Sequence, residues 1–437
     1  MKFACVLLAA ATLAAGQPLQ LSLKQAVDIA TSPEGNTNIQ LSGEALKQAE
    51  LRSLETRASL LPNLDAQFAE QSRTANLAAM GIQLSVPIPG FTFPTFVGPF
   101  TTMDARVSVS QSVFDFSSIR RFQASKVGVS AARSDVESTQ EGVAAQVARA
   151  YLAAVKADAD VETAQANVKL SQAMLDQAVH QKDVGTGTGI EVTRAKVQLA
   201  NDQQRLLVAE NARRAAHLQL LRVMGMRLSA DIVLTDRLQY VPVDAVTLEQ
   251  ARAQALHDRP DLQAQQERED NARLAASATR MERLPSVAAF GDYGSSGTGL
   301  DNALPTRTYG ISLRVPVFDG GRRDARRAES ASQYRAEKVR TADLRAQIEL
   351  DVRLAQDALK SAEDQVKVAK DGLELADNEL AQARRRYDAG VTNSIEVTDA
   401  QTRLERARDN QTAALYGYSL ARIDLTQALG KVRAMVH

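Results

Sequence analysis

Asp183-Val184-Gly185, followed by Ile190-Glu191-Val192-Thr193-Arg194-Ala195, returns later in the chain as Asp388-Ala389-Gly390, followed by Ile395-Glu396-Val397-Thr398-Asp399-Ala400. The offset is 205 residues and holds without a gap through Leu199/Leu404, Leu220/Leu425 and Gly225/Gly430. Working outward, Ser22-Leu23-Lys24-Gln25-Ala26 pairs with Thr247-Leu248-Glu249-Gln250-Ala251, Leu61-Pro62 with Leu284-Pro285, and Val113-Phe114-Asp115 with Val317-Phe318-Asp319. Landmarks that recur in one order across the chain mark an internal duplication, so the fold is two copies of one pattern.

Each copy predicts the same elements. A helix of roughly 37 residues (Ser22 to Ser59; Thr247 to Arg283) stops at Leu-Pro, because proline cannot continue a helix. Two strands with alternating faces follow. Val107, Val109 and Val113 alternate with Arg106, Ser108 and Ser112, and Tyr309, Ile311, Leu313, Val315 and Val317 with Gly310, Ser312 and Arg314. A helix from Ser117 to Lys182, and again from Arg322 to Tyr387, spans roughly 100 Å at 1.5 Å per residue. Glycine-containing turns (Gly185-Thr186-Gly187-Thr188-Gly189; Gly390-Val391-Thr392-Asn393) reverse the chain, and helices from Ile190 to Met226 and from Ser394 to Gly430 run back.

The predicted organisation is a signal peptide over 1–16, short helices over 17–59, and a strand pair over 60–116 with an outer loop at 76–101. A long hairpin over 117–228 turns at 183–190, and a linker covers 229–246. The second repeat has short helices over 247–283, a strand pair over 284–320, a hairpin over 321–430 turning at 388–394, and a tail over 431–437. The signal-peptide reading rests on Lys2, the apolar stretch Phe3 to Ala15, and small residues Ala14-Ala15-Gly16 before Gln17. Thirteen apolar residues are too few for a transmembrane helix.

Composition narrows the function. Lys+Arg and Asp+Glu number 52 each, which removes the basic face that a nucleic-acid binder needs. One cysteine, Cys5, falls in the expected signal peptide, and His180, His217, His257 and His437 lack metal-ligand spacing, so no metal site is expected. No catalytic arrangement or cofactor motif is present. Gly185-Thr186-Gly187-Thr188-Gly189 lacks the Gly-Lys-Ser/Thr ending of a phosphate loop and lies between helices instead of after a strand. An exported chain without an apolar helix can enter the outer membrane only through strands closed into a barrel. Four strands do not close, so copies must combine. Two chains are the formal minimum, and three give twelve strands above twelve helical columns. A periplasmic coiled-coil adaptor or scaffold without a barrel is the competing reading. The recurrent strand pairs, and two equal hairpins where an adaptor has one beside a β-rich domain, speak against it.

The tip motifs, the Leu-Pro before each first strand and the Val-Phe-Asp after each second strand resemble the TolC family of outer-membrane efflux proteins over residues 20–430. The resemblance implies a mainly α fold with a β-barrel portion: long antiparallel hairpins forming an α-barrel, plus four strands per chain in a 12-stranded barrel of a homotrimer. It implies a passive duct in the outer membrane, in contact with its lipid and reaching into the periplasm. A periplasmic adaptor and an inner-membrane pump of RND or ABC type are its implied partners, without cofactor or enzymatic activity. Carried over by position, Glu396 and Asp399 form the periplasmic constriction, and Glu191 and Tyr387 belong to the tip closure network. Thr392 stands where the family's best-known members place an arginine, leaving Arg194, Arg385 or Arg386 to substitute. The turns at Gly185, Gly187, Gly189 and Gly390 are the expected adaptor-docking surfaces. Drug, metal and protein cargoes share this shape, and the sequence favours none of them.

Overall fold

The structure is a computed structural model describing residues 19–82, 94–243, 247–389, 391–392 and 394–436. The signal peptide, Gly390 and residues 83–93 of the expected outer loop lie outside the described residues. The elements in order are β1 (Leu19–Leu21), α1 (Leu23–Thr31), α2 (Thr37–Ala58), β2 (Asn63–Asn76), β3 (Phe96–Phe114), α3 (Phe116–Asp183) and α4 (Gly189–Met224). Then come β4 (Ile232–Leu234), α5 (Leu248–Asp258), α6 (Pro260–Met281), β5 (Ser286–Gly297), β6 (Leu304–Arg314), α7 (Arg322–Asp388), α8 (Ser394–Ala428) and α9 (Val432–Val436).

Several details differ from the sequence reading. The single helix expected over Ser22–Ser59 is two helices, α1 and α2, broken at Ser32-Pro33-Glu34-Gly35. The one expected over Thr247–Arg283 breaks at Arg259, with Pro260 opening α6, where its missing N–H costs nothing. The expected loop 76–101 is shorter, because β3 already begins at Phe96. There the pairing shifts between Arg73 and Ala75, leaving Gly98-Pro99 in a bulge where proline owes no ladder bond. β6 ends at Arg314 because Pro316 cannot donate to the ladder. The linker contains β4 and the tail contains α9.

The chain divides into two compact units. One, Leu46–Ala132 with Ala264–Thr341, holds a four-stranded antiparallel sheet in the order β2-β3-β5-β6. Its helices are tied by polar contacts: Ser53 Oγ to Ser125 Oγ at 3.1 Å, Asn271 Nδ2 to the Ala124 carbonyl at 2.6 Å, and Gln265 Nε2 to Glu337 Oε2 at 2.8 Å.

The other unit, Met1–Ala45, Arg133–Gln263 and Ala342–His437, is built on the two long hairpins. Its largest core gathers Leu21, Val27, Tyr151, Leu220, Leu221, Met224 and Val432, from β1, α1, α3, α4 and α9. β1 pairs in parallel with β4. The buried Tyr151 hydroxyl lies 2.9 Å from both the Leu21 carbonyl and Asp236 Oδ2, and the same carboxylate oxygen accepts the Leu23 N–H at 2.7 Å. Gly225 closes α4 at φ +74°, and a Cβ there would stand 2.6 Å from the Gly35 carbonyl, so both the turn and the close approach require glycine. α9 docks on α3: Val432 is fully buried, the Arg433 N–H donates to Glu141 Oε2 at 3.2 Å, and its guanidinium to Gln140 Oε1 at 2.7 Å.

Candidate functional site

Pairing fixes which side chains share a face of the sheet. The register Gln67↔Arg106↔Gly294↔Thr306 and Asp65↔Ser108↔Asp292↔Thr308 puts one set of alternate residues on one side. That face is polar. Arg106 bonds Asp104 at 3.0 Å and Thr306 Oγ1 at 3.3 Å, and also pairs with Asp292. The opposite face carries Leu64, Phe68, Val107, Val109, Tyr293, Tyr309, Ile311 and Leu313, all exposed in the single chain and Tyr309 80% so. In water such a face is a liability; against lipid it is what a barrel strand requires. The end strands β2 and β6 each pair on one side only. Among the described residues no helix is long and apolar enough to cross a membrane.

At the far end of the hairpins the predicted tip residues come together. α3 ends in a glycine cap: Gly185 at φ +79° sends its N–H to the Lys182 carbonyl at 3.0 Å, while Thr186 and Gly187 both donate to Gln181 O at 2.9 Å. Gly187 is packed against Gln181, whereas Gly189 is the first residue of α4 and faces open space. Glu191 Oε2 accepts the Thr188 N–H at 2.9 Å, completing a capping box that starts α4. Tyr387 donates its hydroxyl to Gln181 Oε1 at 2.5 Å, joining α7 to α3. Glu191, Arg194 and Tyr387 line one cleft of about 290 Å³ with Met174, Val397 and Gln401.

In the second turn, Arg386 Nε lies 3.2 Å from Glu396 Oε1, and the Thr392 hydroxyl donates to Glu396 as well. Thr392, the departure from the family pattern, is thus bonded to the acid of the expected constriction. Arg385 is exposed, and its carbonyl accepts the Ala389 N–H at 3.1 Å. Asp399, one turn along α8 from the half-buried Glu396, is exposed. Among the described residues no cluster of His, Cys, Asp or Glu is arranged for a metal.

One polar network escaped the sequence reading. Asp202 on α4 and Glu405 on α8 are 1% and 4% exposed, and Arg205 Nη1 reaches Glu405 Oε2 at 2.7 Å and Asp202 Oδ1 at 3.6 Å. Ser171 of α3 donates to Asp202, and Gln401 Nε2 lies 3.3 Å from Ser171 Oγ. A signal for it was available: at the 205-residue offset, Asp202 faces Ala407 and Glu405 faces Ala200, so each charge stands where the other repeat has alanine.

The model of the outer membrane efflux protein family matches residues 36–226 and 251–431. The chain belongs to that family. It is a family of transport channels, and this member is an outer-membrane channel component of efflux or secretion machinery that extends into the periplasm. The outer membrane protein TolC of Vibrio cholerae is 24% identical over 339 residues, which cover 75% of this chain and 76% of that one. The pyoverdine export outer membrane protein OpmQ of Pseudomonas putida is 24% identical over 424 residues, 93% and 85% of the two chains. The crystal structure of the CmeC outer membrane channel of Campylobacter jejuni shares the fold, with a TM-score of 0.79 at 18% identity over 93% of this chain and 85% of that one.

Proposed function

We propose that three copies of this chain close their sheets into one 12-stranded barrel, forming a passive exit duct across the outer membrane and into the periplasm. The observation that carries this reading is the sheet: one face apolar, one polar, and unpaired edges at β2 and β6. An open edge in hydrocarbon leaves backbone groups without partners at several kcal/mol each, so the β2 edge of one copy pairs with the β6 edge of the next. Relatives named for pyoverdine export, alkaline protease secretion and toluene efflux support a tripartite assembly. A periplasmic adaptor docks at the Gly185 and Gly390 turns, and an inner-membrane pump supplies the energy. Glu396 and Asp399 then surround the axis at the periplasmic entrance, with Glu396 steadied by Arg386 and Thr392. Native mass spectrometry of the detergent-purified protein tests the assembly. A trimer with protected strand amides is expected, and a stable monomer or dimer with paired strands rules the closed barrel out.

A further inference from the structure

The two hairpins meet through charged groups at more than one level: Arg149 of α3 pairs with Asp424 of α8 at 2.7 Å, and Arg205 of α4 reaches Glu405 of α8 nearer the turns. There α8 meets α3 and α4 through Gln401 and Glu405. We propose that Asp202, Arg205 and Glu405 are the interlock that holds the second hairpin on the first, and that proton uptake there sets how readily the hairpins part. The hydrogen exchange of the seam is independent of the duct reading above; its consequence for conduction rests on that reading.

The network is closed on one side and incomplete on the other. Two carboxylates share one guanidinium, while Glu405 Oε1, Gln401 Oε1 and Asn167 Oδ1 are buried without a hydrogen-bond partner. Buried acceptors left unmatched are costly, and a like-charged pair under a single cation holds only while its geometry is kept. A cleft of about 460 Å³, lined by Lys156, Asp160, Asn167, Asp202, Glu405 and Asp409, gives solvent protons a way to the seam.

The charged groups facing Glu405 are Asp202 and Arg205 from α4 and Asp409 from its own helix. Asp409 in turn faces Asp160 and Lys156 from α3. α7 meets this stretch of α8 through Ala376 and Leu380, with Glu379 paired to Arg403 and Asp377 lying 3.8 Å from Arg408.

Burial first, and Asp202 second, push the Glu405 carboxyl above its ordinary value of 4.5 against the pull of Arg205. Burial and then Asp160 raise Asp409 in the same sense. A parted seam returns both groups to water and to ordinary proton affinity. The packed form therefore binds protons more tightly, so acid favours it. Its extra stability is complete below the ordinary carboxylate range and is lost as pH rises through the raised values. Near neutrality the seam is at its weakest.

Hydrogen exchange of full-length protein in lipid nanodiscs, followed in peptides spanning 198–210 and 400–412 and corrected for intrinsic rates, tests this. Wild-type protection should rise about threefold from about pH 8 to about pH 5. Glu405→Gln should raise protection near neutrality and flatten the profile, leaving only the residual pH dependence that Asp409 contributes. Arg205→Ala should lose protection near neutrality and recover it in acid, and Arg205→Lys should fall between Arg205→Ala and wild type. Asp270→Asn, on α6 and paired only with Arg273 among the ion pairs of the described residues, should keep the wild-type profile. A Glu405→Gln protein with the wild-type pH profile overturns the interlock, as does an Arg205→Ala protein that acid does not rescue. Single-channel recordings on the same preparation report on the duct separately, so the failure of either reading is distinguishable from failure of the other.

Discussion

Tyr151 shows how much one hydroxyl can organise. Its ring fills the core beneath β1, and its O–H sits between the Leu21 carbonyl and Asp236. Burial, then Asp236, push that hydroxyl well above the ordinary tyrosine range, so it acts as a donor throughout the physiological window. Tyr151→Phe keeps the ring and removes the donor, leaving a buried carbonyl and a carboxylate short of one bond. The expected cost is about 1–3 kcal/mol, read as a lower unfolding midpoint and faster exchange of the β1 amides. An unchanged midpoint would mean that water replaces the hydroxyl and that β1 is held by its ladder to β4 alone. Tyr418 repeats the device in the second hairpin, donating to the Val241 carbonyl at 2.8 Å.

The hairpin turn illustrates how local chemistry can fix an element. α3 ends because Gly185 enters the left-handed region and returns two N–H groups to the helix end, and α4 starts because Thr188 and Glu191 form a capping box. Gly185→Val forces a branched side chain to φ +79° and should cost roughly 1–2 kcal/mol at the turn. Gly189→Ala meets nothing within 4 Å and should be neutral. Exchange of tip amides should accelerate in the first variant and not in the second, with strand amides unchanged in both. Equal behaviour of the two would show that the turn does not depend on the left-handed glycine. α9 is the opposite case. Its five residues have little helical tendency alone, and they are helical because Val432 is buried and Glu141 accepts the Arg433 N–H at the helix start.

For the assembled molecule, net charge says little: the chain balances 52 cationic residues against 52 anionic ones. The placement of charge says more. In the proposed trimer, Glu396 and Asp399 would each be repeated by symmetry around a narrow entrance and concentrate a field that scattered surface charges do not. Glu396→Ala with Asp399→Ala should lower the cation-to-anion permeability ratio by about two- to threefold in planar-bilayer recordings. An unshifted reversal potential would place both carboxylates away from the conducting path. Arg386, freed from Glu396 in that variant, adds to the same shift.

The duplicated motif around Gly185 and the second turn, the Leu-Pro stops and the alternation through Val107 and Ile311 were enough to read two hairpins, two strand pairs and the channel class. These features are local: helix ends, turns and strand faces follow from residues a few positions apart, and a repeat doubles each signal. The breaks at Pro33 and Pro260 obey the same proline rule that stops the helices at Leu-Pro. What only the tertiary structure decided involves partners far apart in sequence. Tyr151 meets Asp236 across 85 residues and Arg205 meets Glu405 across 200. Asp202 and Glu405 read as solvated charges on amphipathic helices until α8 is laid against α3 and α4. Burial there, not residue type, raises the Glu405 carboxyl above its ordinary value, which is what the proposed proton-sensitive interlock uses.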